Sequence, residues 1–179
     1  MDIGKVKVIP MDKRQATELA EYVVREQLKK RVVGTKYLGG GSFGRAVCVR
    51  LEDGAKIVVK FLCAHGMMEK EAHDLKLLKK HCPIKIPAVC FERMSDEKIP
   101  ADCYGMELIE GKSCLFALGM LFMSKRRRME FADKITAALH TIHECTNSLF
   151  GDTMSPDCHN WLDYYRPFAE GVLERAEKM

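Results

Sequence analysis

Between residues 32 and 62 the chain reads "VVGTKYLGGGSFGRAVCVRLEDGAKIVVKFL", three short β-type runs separated by two brief breaks. No other stretch restricts the fold as much. Alternating and β-branched residues bounded by turn residues read as strands. The second break, "EDG", is expected to close a tight hairpin on the positive φ angles of the Asp53-Gly54 pair. The first break is the run "GGGSFG", in which Gly39, Gly41 and Gly44 stand in G-x-G-x-x-G spacing.

That spacing has several uses, and its successor decides among them. In a dinucleotide-binding βαβ unit the glycines end a strand and open a helix, whose N-terminus meets the pyrophosphate. Here "RAVCVRL" follows Gly44, then a hairpin, then another strand, which is the wrong successor. A Walker loop also fails, because no Gly-Lys-Ser/Thr follows. What remains is a glycine hairpin folded over phosphates, its backbone N–H groups approaching the oxygens with no Cβ in the way. Lys60 lies sixteen residues past Gly44 on the third strand, placed to reach the α- and β-phosphates. The plain reading is a glycine turn with a surface lysine. Against it, Val58, Val59, Phe61 and Leu62 flank Lys60, a costly setting for a lone charge. Such a lysine needs a partner, and Glu71 on the next predicted helix is the natural one.

Around this core the rest of the chain gives an α+β layout. "ATELAEYVVREQLKKR" (16–31) predicts a helix with Leu19, Ala20, Val23, Val24 and Leu28 on one stripe and a basic C-terminal end. "MMEKEAHDLKLLKKH" predicts another, with Met68, Ala72, Leu75 and Leu78 toward a core. "KIPAVCFERM" and "DCYGMELIEG" read as two further strands, separated by the polar turn "SDEKIPA". After Gly111, "KSCLFALGMLFM" and "RRRMEFADKITAALHTIHE" look helical, "TNSLFGDTMSPDCHN" is expected to be a loop, and a final helix follows. This is an antiparallel sheet decorated by helices and followed by helices.

Taken together, "LGGGSFGRA", "IVVK" and the helix glutamate resemble the nucleotide-binding lobe of the protein-kinase-like superfamily. The short segment from lysine to glutamate in "EKEAHDLKLLKKHCPIKIPAVCFE", the hinge-like "YGMELIEG", and "ALHTIHE", "FGD" and "WLDYYRPF" further on are more similar to the aminoglycoside phosphotransferase and choline kinase-like branch. The resemblance covers residues 32–179. It implies a nucleotide-binding lobe of five antiparallel strands plus a helix (32–111) and the first helices of a second lobe (112–179), which leaves 1–31 as an N-terminal helical extension.

It also implies site roles. Gly39, Gly41 and Gly44 would be the loop glycines, with Ser42 and Phe43 at the tip. Lys60 would hold phosphates and pair with Glu71. Met106 would line the back of an adenine pocket, Val58 would pack over the ring, and the Glu107 carbonyl and Ile109 N–H would meet its edge. Ala46 departs from the family's usual valine, and Val58 is bulkier than the alanine of protein kinases. The implied cofactors are ATP, with GTP left open, and Mg²⁺. The implied reaction is phosphoryl transfer to a small-molecule hydroxyl.

The transferring half of such a site needs an H-G-D-x-x-x-x-N loop and a later metal-binding aspartate, and the sequence contains neither. Its nearest stretch is "LFGDTMSPDCHN", where Phe150 replaces the histidine and Asp157 the asparagine. Asp152 is the single candidate base there, and a capped turn between helices is the preferred reading. The chain is therefore expected to be cut short in its second lobe and inactive alone. The alternative is a non-catalytic nucleotide-binding or interaction module.

Other residues carry less. His140, His143 and Glu144 lack a further metal ligand and read as helix packing, so no metal site is expected. "SKRRRME" reads as a solvated helix start, with an anion contact as its alternative. The stripe "LFALGMLFM" reads as core, able to favour self-association if exposed. The 179 residues carry a net charge of only +4 and 30% charged residues, and no aromatic–basic interleaving, so nucleic acid is not expected. No export signal or apolar span is evident, which points to a cytoplasmic protein off the membrane. The eight cysteines lack C-x-x-C spacing and are expected to be reduced and mostly buried.

Overall fold

The computed structural model describes residues 8–64, 66–111 and 122–178. Helix α1 (Lys13–Leu28) starts three residues before the expected position. Its cap is Asp12, whose carboxylate accepts from the Gln15 N–H at 2.8 Å, and it ends at Lys29 in the left-handed region (φ 53°). A polar first turn hides such a start from any reading keyed to apolar periodicity. Of the expected stripe Ala20, Val23 and Val24 are fully buried, with Leu19 and Leu28 packed at its rim, and Ala16 is buried beside them.

Strands β1 (Val32–Gly40), β2 (Gly44–Leu51), β3 (Lys56–Leu62), β4 (Val89–Arg93) and β5 (Cys103–Glu107) form one antiparallel sheet in the order β1-β2-β3-β5-β4. The expected α+β class and five-stranded antiparallel sheet are both present. Strand alternation divides the side chains between two faces. Val47, Val49, Leu51, Ile57, Val59, Phe61 and Cys103 point to the face that α1 covers. The other face carries Ala46 beside Lys60, Val58 beside Met106, and Lys60 beside Tyr104. Helix α2 (Met68–His81) packs there, with Met68 and Leu75 against Leu62 and Tyr104.

The β2–β3 turn departs from expectation. Gly54 alone takes a positive φ, 84°, while Asp53 does not. The Gly54 N–H donates to the Leu51 carbonyl and the Leu51 N–H to the Ala55 carbonyl, a three-residue loop that ends in a glycine bulge. Asp53 instead accepts from the Ala55 N–H at 3.0 Å and pairs with Lys30 at 2.6 Å. Its side chain stabilises the turn, so its backbone need not be strained.

Helix α3 (Lys125–His143) is capped by Ser124 and lies mostly exposed, with Ala138 its one buried residue. The expected loop 146–160 holds a small hairpin, β6 (Phe150–Asp152) with β7 (Ser155–Cys158), which α2 fastens in place. Lys70 pairs with Asp152 at 3.1 Å and donates to the Thr153 hydroxyl at 3.0 Å. His73 Nε2 donates to the Thr153 carbonyl at 3.1 Å, and Asp74 accepts from the Thr153 hydroxyl. Helix α4 (Trp161–Glu177) packs on this hairpin and contains no buried residue. The helix expected over 112–123 falls on residues 112–121, outside the described residues, as does Cys114.

The cysteines are less buried than expected. Cys63 and Cys103 are buried, Cys48, Cys82 and Cys158 intermediate, and Cys90 and Cys145 exposed. All seven are free thiols. Cys63 and Cys103 belong to the core under α1, and Cys90 and Cys145 lie outside it.

Phe61 has no exposed surface while Val33 is 46% exposed. Phe61→Ala is expected to lower folding stability by about 3–5 kcal/mol, and Val33→Ala by less than about 0.5 kcal/mol. Urea unfolding of both variants checks the pair.

Candidate functional site

The connection between β1 and β2 is only three residues long, Gly41 to Phe43, and it is held from below. The Gly41 N–H donates to the Gly44 carbonyl at 3.1 Å, and the Cys63 N–H to the Phe43 carbonyl at 2.9 Å. Arg45 grips the same loop. Its Nη1 donates to the carbonyls of Gly41 (2.6 Å) and Gly44 (2.9 Å), and its Nε to the Met11 carbonyl (2.9 Å). These bonds engage the carbonyls at both ends of the loop and tie it to the segment before α1. Arg45 was not legible as a site residue, because an arginine at the start of a strand has no sequence signature.

The glycines differ in what they permit. Gly39 has φ 138°, where other residues are strained. A Cβ on Gly44 would sit 3.3 Å from Cε of Lys60 and 3.2 Å from the Phe61 carbonyl, so Gly44 leaves room for the lysine stem. A Cβ on Gly41 would meet nothing within 4 Å. The most constrained glycine of the loop is Gly40, an unassigned position in the spacing. A Cβ there would lie 2.6 Å from the Gly44 carbonyl and 2.9 Å from the Tyr37 hydroxyl.

Under the loop is an open cleft of about 500 Å³, bordered by Gly39, Gly41, Ser42, Phe43, Gly44, Ala46, Lys60 and Glu71 among others. Lys60 and Glu71 meet in it with Nζ–Oε2 at 2.6 Å, each side chain 31% exposed. The partner that the sequence required is therefore supplied. Glu71 sits in the first turn of α2, where the positive helix pole favours a carboxylate. Lys60 is less deeply enclosed than its apolar neighbours suggested. Val59 and Phe61 face α1, and Val58 and Leu62 are buried on the lysine's own face, while the lysine reaches the edge of the cleft.

Tyr104, which the sequence reading passed over, completes the cluster. It is β5's partner to Lys60, only 2% exposed, and its hydroxyl donates to Glu71 Oε2 at 3.1 Å. Burial foremost, and then the Glu71 charge, push the hydroxyl well above its ordinary value of 10.0. In "DCYGMEL" an aromatic residue reads as a strand former, and nothing marks its hydroxyl as used.

The other expected positions divide. Val58 (5% exposed) and Met106 pair on the cleft face, and Met106 packs with Leu62 and Tyr104. Glu107 pairs with Ile57, so its side chain is on the opposite face. There it borders a separate space of about 490 Å³ with Lys56, Ala88 and Cys90. It pairs with Lys85 at 3.2 Å, which foremost holds its carboxyl below the usual range. Ile109 follows the end of β5 and is partly buried.

Asp152 is not in the cleft. Its carboxylate accepts from the Met154 N–H at 3.0 Å and pairs with Lys70, and these hold its carboxyl below the ordinary value, the backbone bond foremost. Asp152 caps the β6–β7 turn of a small hairpin rather than a bare turn between helices. His140 pairs with Glu144 at 3.3 Å along the helix, and Arg126 with Glu130 at 3.4 Å. Among the described residues no group of three or more His, Cys, Asp and Glu is gathered as a metal site. No described helix is long and apolar enough to cross a membrane.

No protein-family model matches the chain, and no curated protein is significantly similar to it. Among solved structures, it is similar to a protein described as a fructosamine-3-kinase from Thermobifida fusca YX-ER1. That match has 21% identity and a TM-score of 0.42 over 52% of this chain and 32% of the other. It is also similar to the aminoglycoside phosphotransferase APH(2″)-IIa, solved as a ternary complex with streptomycin and ATP. There the identity is 16% and the TM-score 0.38, over 66% of this chain and 36% of the other. The chain thus spans about a third of the length of each.

Burial also pushes the Cys103 thiol up from 9.0 to about 12. Both Cys103 and Tyr104 bind their protons more tightly folded than unfolded. Their contribution to stability is therefore full below about pH 9, and is lost as pH rises through the folded values. The urea midpoint is expected to hold between pH 7 and 8.5 and to fall progressively from pH 9.5 to 11. A midpoint unchanged at pH 11 would contradict the assignment.

Proposed function

We propose that the cleft binds the phosphates of a nucleoside triphosphate, taken to be ATP, and that the chain is the nucleotide-binding part of a phosphotransferase acting on a small-molecule hydroxyl. The observation that carries this is the Lys60–Glu71 pair, 2.6 Å apart, at the edge of an open cleft beneath a glycine loop. A surface lysine on a glycine turn needs neither feature. Phosphate needs both: a fixed ammonium, and backbone that can approach closely. The open space over Gly41 gives the loop room for that approach. Val58 and Met106 would then supply an apolar wall for the base, with the backbone at Glu107 and Ile109 at its edge.

The described residues fit the triphosphate but not a protein-held Mg²⁺. Glu71, the carboxylate bordering the cleft, is taken up by Lys60 and Tyr104, and no step is assigned through a metal. The reading gives this chain binding and assigns it no phosphoryl transfer. A base must reach the acceptor hydroxyl, and Asp152 is committed to Lys70 and its own turn. That commitment favours the second reading, a nucleotide-binding or interaction module without catalysis.

Calorimetric titration with Mg-ATP and Mg-GTP tests the proposal. Lys60→Ala is expected to weaken Mg-ATP binding about 10- to 100-fold, as loss of a charge-assisted hydrogen bond implies, with the circular dichroism spectrum unchanged. Gly41→Ala is expected to leave the melting temperature in place and weaken binding. No heat of binding from the parent at millimolar Mg-ATP would sink the nucleotide reading. Phosphorylation of an aminoglycoside, choline or a sugar by the purified chain, abolished by Asp152→Ala, would overturn the assignment of binding alone.

A further inference from the structure

A buried tyrosine must find an acceptor for its hydroxyl, and usually a backbone carbonyl serves. Tyr104 uses the carboxylate of the Lys60–Glu71 pair. Its ring is anchored in the apolar cluster of Leu62, Met68 and Met106. The backbone of β5 fixes it directly beside Lys60 in the ladder. Both donors converge on a single oxygen, with Lys60 Nζ at 2.6 Å and the Tyr104 hydroxyl at 3.1 Å from Glu71 Oε2. Three elements therefore meet at one atom: β3 through the ammonium, β5 through the hydroxyl, and α2 through the carboxylate.

The consequences for the two donors are unequal. The Lys60 stem is flexible and its pair is 31% exposed, so by itself the ion pair would open readily to water. Tyr104 has a rigid ring, two torsions and almost no exposure. It can hold the Glu71 carboxylate in one place at little entropic cost. The carboxylate then holds the ammonium.

We propose that Tyr104 is a positioning residue of the nucleotide site: it fixes Glu71 Oε2, and through it directs the Lys60 ammonium toward the cleft before any ligand arrives. The proposal rests on the nucleotide reading for its purpose but not for its geometry. Tyr104 is not among the residues bordering the cleft. It acts by keeping the pair made, so the site does not have to assemble the pair when phosphate binds.

Tyr104→Phe removes the hydroxyl and keeps the ring. The first measurement needs no nucleotide. Amine-labelling of the unliganded protein, read by mass spectrometry, follows Lys60 against the exposed Lys98 as internal reference. Lys60 is expected to label about three- to tenfold faster in Tyr104→Phe, the range a single net hydrogen bond spans, with Lys98 unchanged. In a Glu71→Gln background Lys60 is already fast, and adding Tyr104→Phe is expected to change nothing further. Mg-ATP affinity is expected to fall by a similar factor in the single variant and not in the Glu71→Gln background.

Unchanged Lys60 labelling together with a lowered melting temperature would make Tyr104 a packing residue only, and would overturn the proposal. Equal acceleration in both backgrounds would overturn it too, because Tyr104 would then not act through Glu71. Should Tyr104→Phe not fold, the ultraviolet resonance Raman difference between parent and Glu71→Gln decides. A tyrosine donating to a carboxylate in the parent and not in the variant supports the proposal, and no difference overturns it. A parent that binds no Mg-ATP defeats the nucleotide reading, while the labelling arm still decides the role of Tyr104.

Discussion

A central strand covered on both faces can carry a charge only if another element brings the opposite charge to it. Strand β3 is such a strand. Alternate residues Ile57, Val59 and Phe61 are sealed by α1, while Val58 and Leu62 meet the other layer. Lys60 falls in the second set, and the first turn of α2 answers it with Glu71. Much else follows from that placement. Helix α2 must dock with its N-terminal end at the cleft, β5 must offer a side chain that tolerates the pair, and Gly44 must leave the lysine stem its path.

The cleft is thus framed by two devices of different kinds. On one side backbone does the work, with Arg45 gathering the carbonyls of Gly41, Gly44 and Met11. On the other, side chains do it, with Tyr104 and Lys60 sharing one carboxylate oxygen. Both devices are made entirely from groups of the chain itself, one from backbone carbonyls and one from side chains.

What could be read beforehand was whatever shows as a pattern along the chain. The β3 run, the apolar stripe of α1 and the lysine lacking a nearby counter-charge are local signals, and each led to the observed element or pairing. The features that escaped are non-local or chemically silent. Tyr104 looks like any aromatic strand residue, because its hydroxyl acquires meaning only when Glu71 arrives from another element. Gly40 falls between the glycines of the spacing, and its need appears only when Gly44 folds back beneath it. The β6–β7 hairpin carries "FGD" and "SPDC", which have no alternation. It forms because Lys70, His73 and Asp74 of α2 take hold of Thr153 and Asp152. The Asp53-Gly54 turn has the right residues but a different geometry, since the Asp53 side chain caps the Ala55 N–H.

The chain has a single tryptophan, and it lies in α4, stacked on Tyr165 with centroids 5.3 Å apart and planes 14° from parallel. Intrinsic fluorescence excited at its long-wavelength band is therefore a reporter of α4 and its seat on the hairpin, and is blind to the sheet and the cleft. Far-ultraviolet dichroism sees the whole backbone. A difference between the two signals during denaturation would register the helical end of the chain letting go before the sheet, a separation that either signal alone would hide.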